Sequence, residues 1–204
     1  DYTVGNSILD KINASEIYSG TIAEHDGVGN DLAKFSIGIL KNDGSGEGRF
    51  MNFRAFIDEF SDSYSAKWDT VNYNGRGEEF FNYNGFTREI SMGWTVFAQS
   101  HDELIPMYKK LNYLASSLAP SYSSAGFMRG NLARLTVGGY LFNQLGIIKS
   151  ITYTVPEESP WEIAITDEGK YDSNVKELPH MIKVSGFSFI PIQSFVPQKA
   201  LFDK

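Results

Sequence analysis

The stretch Phe86–Ala98, FTREISMGWTVFA, decides how this chain is read. Its even positions are Phe86, Arg88, Ile90, Met92, Trp94, Val96 and Ala98; its odd ones are Thr87, Glu89, Ser91, Gly93, Thr95 and Phe97. Successive side chains of a strand point to opposite faces, so the segment is a strand with one apolar and one mostly polar face. Its thirteen residues exceed the usual strand of roughly 3–10, which implies a barrel wall or a projecting hairpin. Arg88 interrupts the apolar series. A guanidinium there needs a carboxylate or carbonyl partner, and two sources stay open: an intramolecular salt bridge or a contact with another subunit.

Upstream, Asn74-Gly75 and Asn84-Gly85 lie between aromatic and β-branched residues. Asn-Gly supplies the positive φ that tight hairpin turns need, so both pairs predict turns, bounding strands over Lys67–Tyr73 and Glu78–Tyr83. Glu59–Ser65 is polar and is expected to leave the sheet. Phe53, Ala55 and Ile57 alternate as a further strand, as do Ile37 and Ile39 within Phe35–Leu40. Ile17–Ile22 reads as a weak strand. Asn42–Gly48 (NDGSGEG) is a turn or flexible loop. Its Gly44-x-Gly46-x-Gly48 spacing is no phosphate cradle, because such a loop opens a helix and Arg49–Ile57 reads as a strand.

Downstream, Ser100 and Glu103 make a capping-box pattern, and Leu104, Met107, Tyr108, Leu111, Leu114, Ala115 and Leu118 fall on one helical face. Pro106 is suited to a first turn and puts the start near Asp102 or Glu103; Ala119-Pro120 ends the helix. Strands return over Leu132–Phe142, broken at Gly138-Gly139, over Ile147–Val155, around Trp161, Ile163 and Ile165, and over Met181–Ile190. The fold class is mostly β (α+β): a β-barrel or sandwich with one main helix, about residues 102–118, packed on the sheet. Residues 1–48 form an N-terminal arm and first strands, 49–195 the β domain with its helix, and 196–204 a tail.

Composition bounds the function. The chain has 204 residues, 42% of them apolar and 14% aromatic, with a net charge of −7 and no cysteine. A net acidic chain lacks the basic face of a sequence-independent nucleic-acid binder, and without cysteine there is no disulfide, thiolate nucleophile or thiolate metal site. His25, His101 and His180 have no partner at metal-ligand spacing and read as surface or capping residues. The pairs Asp58-Glu59, Glu78-Glu79, Glu157-Glu158 and Asp167-Glu168 read as solvated turns, since acid/base work needs carboxylates facing across a cleft. Asn13-Ala14-Ser15 matches the glycosylation sequon. No catalytic, cofactor-binding or metal-ligating set emerges, no cofactor is implied, and the expectation is a non-enzyme. No apolar run approaches the roughly 20 residues needed to span a bilayer.

Several segments together resemble a known family. They are Arg49–Ile57 (RFMNFRAFI), Tyr64-Ser65, Trp68, Tyr73–Glu78 (YNGRGE), Tyr83, Phe86-Thr87-Arg88, and Ala98-Gln99-Ser100 leading into Glu103-Leu104. Later come Gly126–Gly130 (GFMRG), Leu135–Gly138 (LTVG) and Tyr153–Trp161 (YTVPEESPW). In type and order they are similar to tail-tube and baseplate proteins of tailed bacteriophages, especially the tube-initiator type. The resemblance spans Arg49 to about Phe189. It implies a virion structural protein: a ring, usually a homohexamer, whose subunits join their sheets into one inner barrel, with the helix on its outer face. It implies as partners further copies, neighbouring tube and baseplate proteins, and genomic DNA that passes through an acidic lumen without specific binding, in a tail assembled in the host cytoplasm. Trp68, Arg76, Arg88, Trp94, Leu104, Leu111 and Trp161 are the residues expected to carry assembly or support it. The alternative is a carbohydrate- or receptor-binding β-sandwich of a phage tail, with Trp68, Trp94 and Trp161 lining the site.

Overall fold

The computed structural model describes residues 11–21, 33–54, 56–166, 168–173 and 177–194. The chain is mostly β. Its strands are β1 (Tyr18–Gly20), β2 (Phe35–Leu40), β3 (Gly48–Asn52), β4 (Phe56–Asn72), β5 (Glu79–Phe97), β6 (Ser121–Tyr122), β7 (Met128–Arg129), β8 (Ala133–Val137), β9 (Leu141–Thr154) and β10 (Met181–Pro191). The helices are α1 (Lys11–Ala14) and α2 (His101–Ser116). Eight strands make one sheet in the order β1-β3-β2-β8-β9-β10-β5-β4, every described pair antiparallel; β6 and β7 form a separate small ribbon.

This sheet is open. β1 and β4 are its two ends and do not pair with each other, so the barrel or sandwich expected from the sequence is not closed within one chain. The first strands are integral to it: β1 and β2, from the expected N-terminal arm, pair with β3 and β8. The expected tail over 196–204 lies outside the described residues.

One face of the sheet is covered by α2. Leu104, Met107, Leu111 and Leu114 pack there with Ile90, Met92, Trp94 and Val96 of β5, and with Val184, Phe187 and Phe189 of β10. Trp94 stands at the centre, edge-on to Phe35 and Phe187 with ring centroids 5.1 and 5.2 Å away. Lys110 is buried in the same layer; its Nζ donates to Ile12 O and Asn52 O, both at 3.0 Å, and stands 5.6 Å from the Phe53 ring centre. That tie holds α1 and the end of β3 to the helix. The helix itself starts one residue before the expected position, and Pro106 lies in its second turn. Proline lacks the N–H that would bond the Asp102 carbonyl. The expected capping box is replaced by a bond one residue earlier: Glu103 Oε2 accepts from the N–H of Gln99, before the cap, at 3.1 Å, while the Ser100 hydroxyl makes no cap bond.

Three local expectations are corrected by pairing. Glu59–Ser65 does not leave the sheet, because β4 runs unbroken through it in register with β5. Asn84-Gly85 is not a turn; the register slips by one residue there, making Asn84 a bulge, and Asn84 Nδ2 donates to Asp69 Oδ2 at 2.7 Å. Asn74-Gly75 is the turn, with Gly75 at φ 87°. Trp161 and Ile165 make only isolated bridges, to Pro179 and Tyr171, so the strand expected around them is a loop.

Candidate functional site

β4 and β5 form a hairpin that outruns the body of the sheet. β10 pairs with β5 only from Phe97 to Ile90. From Glu89 outward, β4 is the sole partner of β5 among the described residues, and β4 has no partner on its outer edge. The free part, Ser63–Asn72 against Glu89–Glu79, extends roughly 30 Å at the usual rise per residue.

Register fixes what each face of this arm carries. Cross-strand partners share a face, so the pairs Tyr64↔Arg88, Ala66↔Phe86, Trp68↔Tyr83 and Thr70↔Phe81 continue the face that buries Ile90 and Met92 in the body. Here nothing among the described residues covers them: Trp68 is 55% exposed and Phe81 64%. The rings pair with each other, Trp68 edge-on to Tyr83 at 5.0 Å and Tyr64 against Phe86 at 6.2 Å. As far as Asp69 the opposite face is polar, with Ser61, Ser63, Ser65, Lys67 and Asp69 facing Ser91, Glu89, Thr87, Gly85 and Asn82; Val71 and Phe80 follow on it toward the tip. At the tip, Tyr73 and Phe80 stack edge-on at 5.3 Å, and Arg76 lies 3.8 Å from Glu78, exposed.

The root of the arm is fastened by Asp62. Its carboxylate accepts from Arg88 Nε at 2.9 Å and Nη2 at 2.6 Å, from the Tyr64 hydroxyl at 2.9 Å, and from the Tyr140 hydroxyl at 2.8 Å. Tyr140 comes from the β8–β9 turn and also meets Phe60 edge-on at 5.4 Å. The Arg88 bond, with the two tyrosine hydroxyls, holds the Asp62 carboxyl well below the usual carboxylate range, at about 2. Arg88 lies 5.0 Å from the Tyr64 ring centre. Of the two sources left open for a partner to Arg88, the chain supplies one itself.

The residues expected to carry assembly therefore separate. Trp68, Arg76 and Arg88 lie together on the arm; Trp94, Leu104 and Leu111 are buried in the body core; Trp161 is on the β9–β10 loop, 57% exposed. Full burial removes Trp94 from any sugar-binding platform. Asp62 and Tyr140 were not legible as site residues, although the even series Phe60, Asp62, Tyr64, Ala66, Trp68 carried the signal once the segment is taken as a strand. His101 and His180 are not surface residues: both are largely buried in a cluster with Glu162 and Asp172. His25 lies outside the described residues. The Asn13 side chain of the sequon is buried and donates to Phe97 O at 2.8 Å. Among the described residues no group of three or more His, Asp or Glu side chains is placed to hold a metal ion, and no helix is long and apolar enough to cross a membrane.

Compared with protein-family models and with curated proteins, the sequence finds no match.

Proposed function

We propose that this chain is a ring-forming structural subunit of a phage tail tube or baseplate, of the tube-initiator type, which builds part of a channel for genome passage. The observation that carries the reading is the β4–β5 arm. It combines an uncovered aromatic face with an unpaired strand edge 17 residues long. An isolated chain gains nothing from either, and a long free edge invites aggregation. Both become an interface when a second copy covers the face and the ring removes the edges.

The sheet face opposite α2 would line the channel. In this chain that face is rich in Ser and Thr, and two of its lysines lie beside carboxylates: Lys149 is 3.4 Å from Glu89 and Lys183 3.6 Å from Asp58. The reading therefore moves from an acidic lumen to a polar one in which two lysines sit beside carboxylates, which gives DNA phosphates few fixed partners.

Native mass spectrometry and negative-stain microscopy of the purified chain test the proposal. Closed rings or stacked tubes are the expected result, and their loss in an arm-deleted variant that stays folded would tie them to the hairpin. A monodisperse monomer up to high micromolar concentration, retained on immobilised glycans, would replace the reading with the carbohydrate-binding one.

A further inference from the structure

The C-terminal end of α2 borders a cleft that neither the arm nor the core uses. Its walls are the end of β2 with the start of the β2–β3 loop, Arg49 of β3, the last turn of α2, and the segment that carries the β6–β7 ribbon. The cleft opens to solvent and has a volume of about 390 Å³, inside the range of roughly 300–1,000 Å³ found for small-molecule sites. Polar bonds hold it in shape. Asn42 Nδ2 donates to Ser121 Oγ at 2.6 Å and to Asn131 Oδ1 at 3.0 Å, which ties the β2–β3 loop to the ribbon segment. Asn131 Nδ2 donates in turn to Ser117 O and Ala119 O at 2.8 and 2.9 Å, which ties that segment to the end of the helix. Two asparagine side chains thus fix three elements around the cleft, so a ligand would meet walls that are already ordered. The Asn131 bonds also satisfy carbonyls at the end of α2, where the helix dipole is negative.

The charge lining this cleft is unbalanced. Two cations, Lys41 and Arg49, belong to its walls. Lys41 Nζ is paired with Glu47 Oε2 at 2.6 Å. Asp43, the other carboxylate of the loop, accepts from the Ser45 N–H at 2.9 Å and from its hydroxyl at 2.6 Å. Among the described residues Arg49 has no carboxylate partner; its guanidinium carbon lies over the Tyr113 ring, 5.8 Å from the centre. Stacking on an aromatic face holds the guanidinium while leaving its in-plane N–H groups able to donate. That planar fork matches the two oxygens of a carboxylate. Leu40 and the Tyr113 ring supply apolar surface beside it.

We propose that this cleft binds a small carboxylic acid in its ionised form, with the carboxylate on the Arg49 fork and a flat or aliphatic body against Leu40 and Tyr113. One uncompensated positive charge matches a monoanion. A phosphate is tetrahedral and more highly charged, so it fits the planar fork less well and is opposed by Glu47 on the same loop. The chain carries a net charge of −7, which repels anions at long range; affinity therefore has to come from the short-range bonds to Arg49 and from contact with the apolar wall. The cleft lies on the α2 side of the sheet, away from the β4–β5 arm in the strand order, and the proposal does not depend on the assembly reading.

Calorimetric titration of the full chain with benzoate, benzamide and inorganic phosphate tests this. Benzoate is expected to bind saturably with a Kd of about 1 mM or tighter. Benzamide keeps the ring and the shape but loses the charge, and should bind at least about tenfold more weakly. Arg49→Gln should weaken benzoate binding at least about tenfold; the side chain is exposed, so an unchanged melting temperature will show that the variant is folded. The benzamide comparison needs no variant and decides the question even where a substitution disturbs the fold. Benzoate that does not saturate, benzamide that binds as well as benzoate, or an Arg49→Gln chain that binds benzoate like the wild type each overturns the site. Phosphate that binds more tightly than benzoate overturns the assignment to a carboxylate.

Discussion

The two halves of β5 obey the same alternation and meet opposite fates. From Ile90 to Phe97 the strand is flanked on both edges and its apolar face lies under α2; from Glu79 to Glu89 it has one neighbour and no cover. In the body, the apolar residues are consumed by the chain's own core. On the arm, the same periodicity produces Phe86, Tyr83 and Phe81 in solvent, beside Tyr64 and Trp68 of β4. Composition distinguishes the halves: Met, Trp and Val fill the body, whereas Tyr, Phe and Trp with hydroxyl-rich neighbours cover the arm. Aromatic rings with polar edges suit a surface that must stand in water before it is covered.

That contrast can be broken at graded cost. Trp94→Ala should be the most damaging change, losing roughly 3–5 kcal/mol of stability in a denaturant titration, because it leaves a cavity where Phe35, Phe53 and Phe187 meet. Lys110→Met comes next. It leaves the carbonyls of Ile12 and Asn52 without this donor, for a loss of about 1–3 kcal/mol, and calorimetry should show it with the arm unaffected.

Asp62→Asn acts at the boundary between the halves and should cost about 2 kcal/mol, by loss of a charge-assisted bond to Arg88. The sign with pH follows from the depressed carboxyl. The stabilisation is complete above the ordinary carboxylate range and is lost as pH falls toward about 2. Tyrosine fluorescence or exchange at the arm's root should therefore change on acidification in the wild type and be insensitive in the variant. Trp68→Ala is the mildest for the folded monomer, below about 1 kcal/mol for an exposed position, yet it should weaken self-association measured by sedimentation. A Trp68→Ala chain that assembles as well as the wild type would remove the arm's aromatic face from the interface.

Much of the framework was legible. The Phe86–Ala98 alternation located the core face of β5, the heptad-like run from Leu104 to Leu114 located α2, and Asn74-Gly75 located the turn of the arm. Glu59–Ser65 was misread because Glu59, Asp62 and three serines outweigh Phe60 and Tyr64, and only the pairing with β5 shows the alternation to be a strand. Asn84-Gly85 was misread because the same dipeptide serves a turn or a bulge, and only the partner strand decides which. The histidine cluster was invisible, since His101, Glu162, Asp172 and His180 are brought together by a loop closing over a helix end.

The sequence by itself determined the elements whose periodicity is local: the long two-faced strand, its tight turn, and a helix with one apolar stripe. It also placed Arg88 in an apolar series, which required a partner without naming it. Tertiary structure decided that Asp62, itself held by the Tyr140 hydroxyl, answers that requirement, that the sheet stays open, and that half of β5 is left uncovered. Those outcomes depend on strand order and on where β10 stops pairing, which are set by contacts between residues distant in the chain and leave no trace in local spacing.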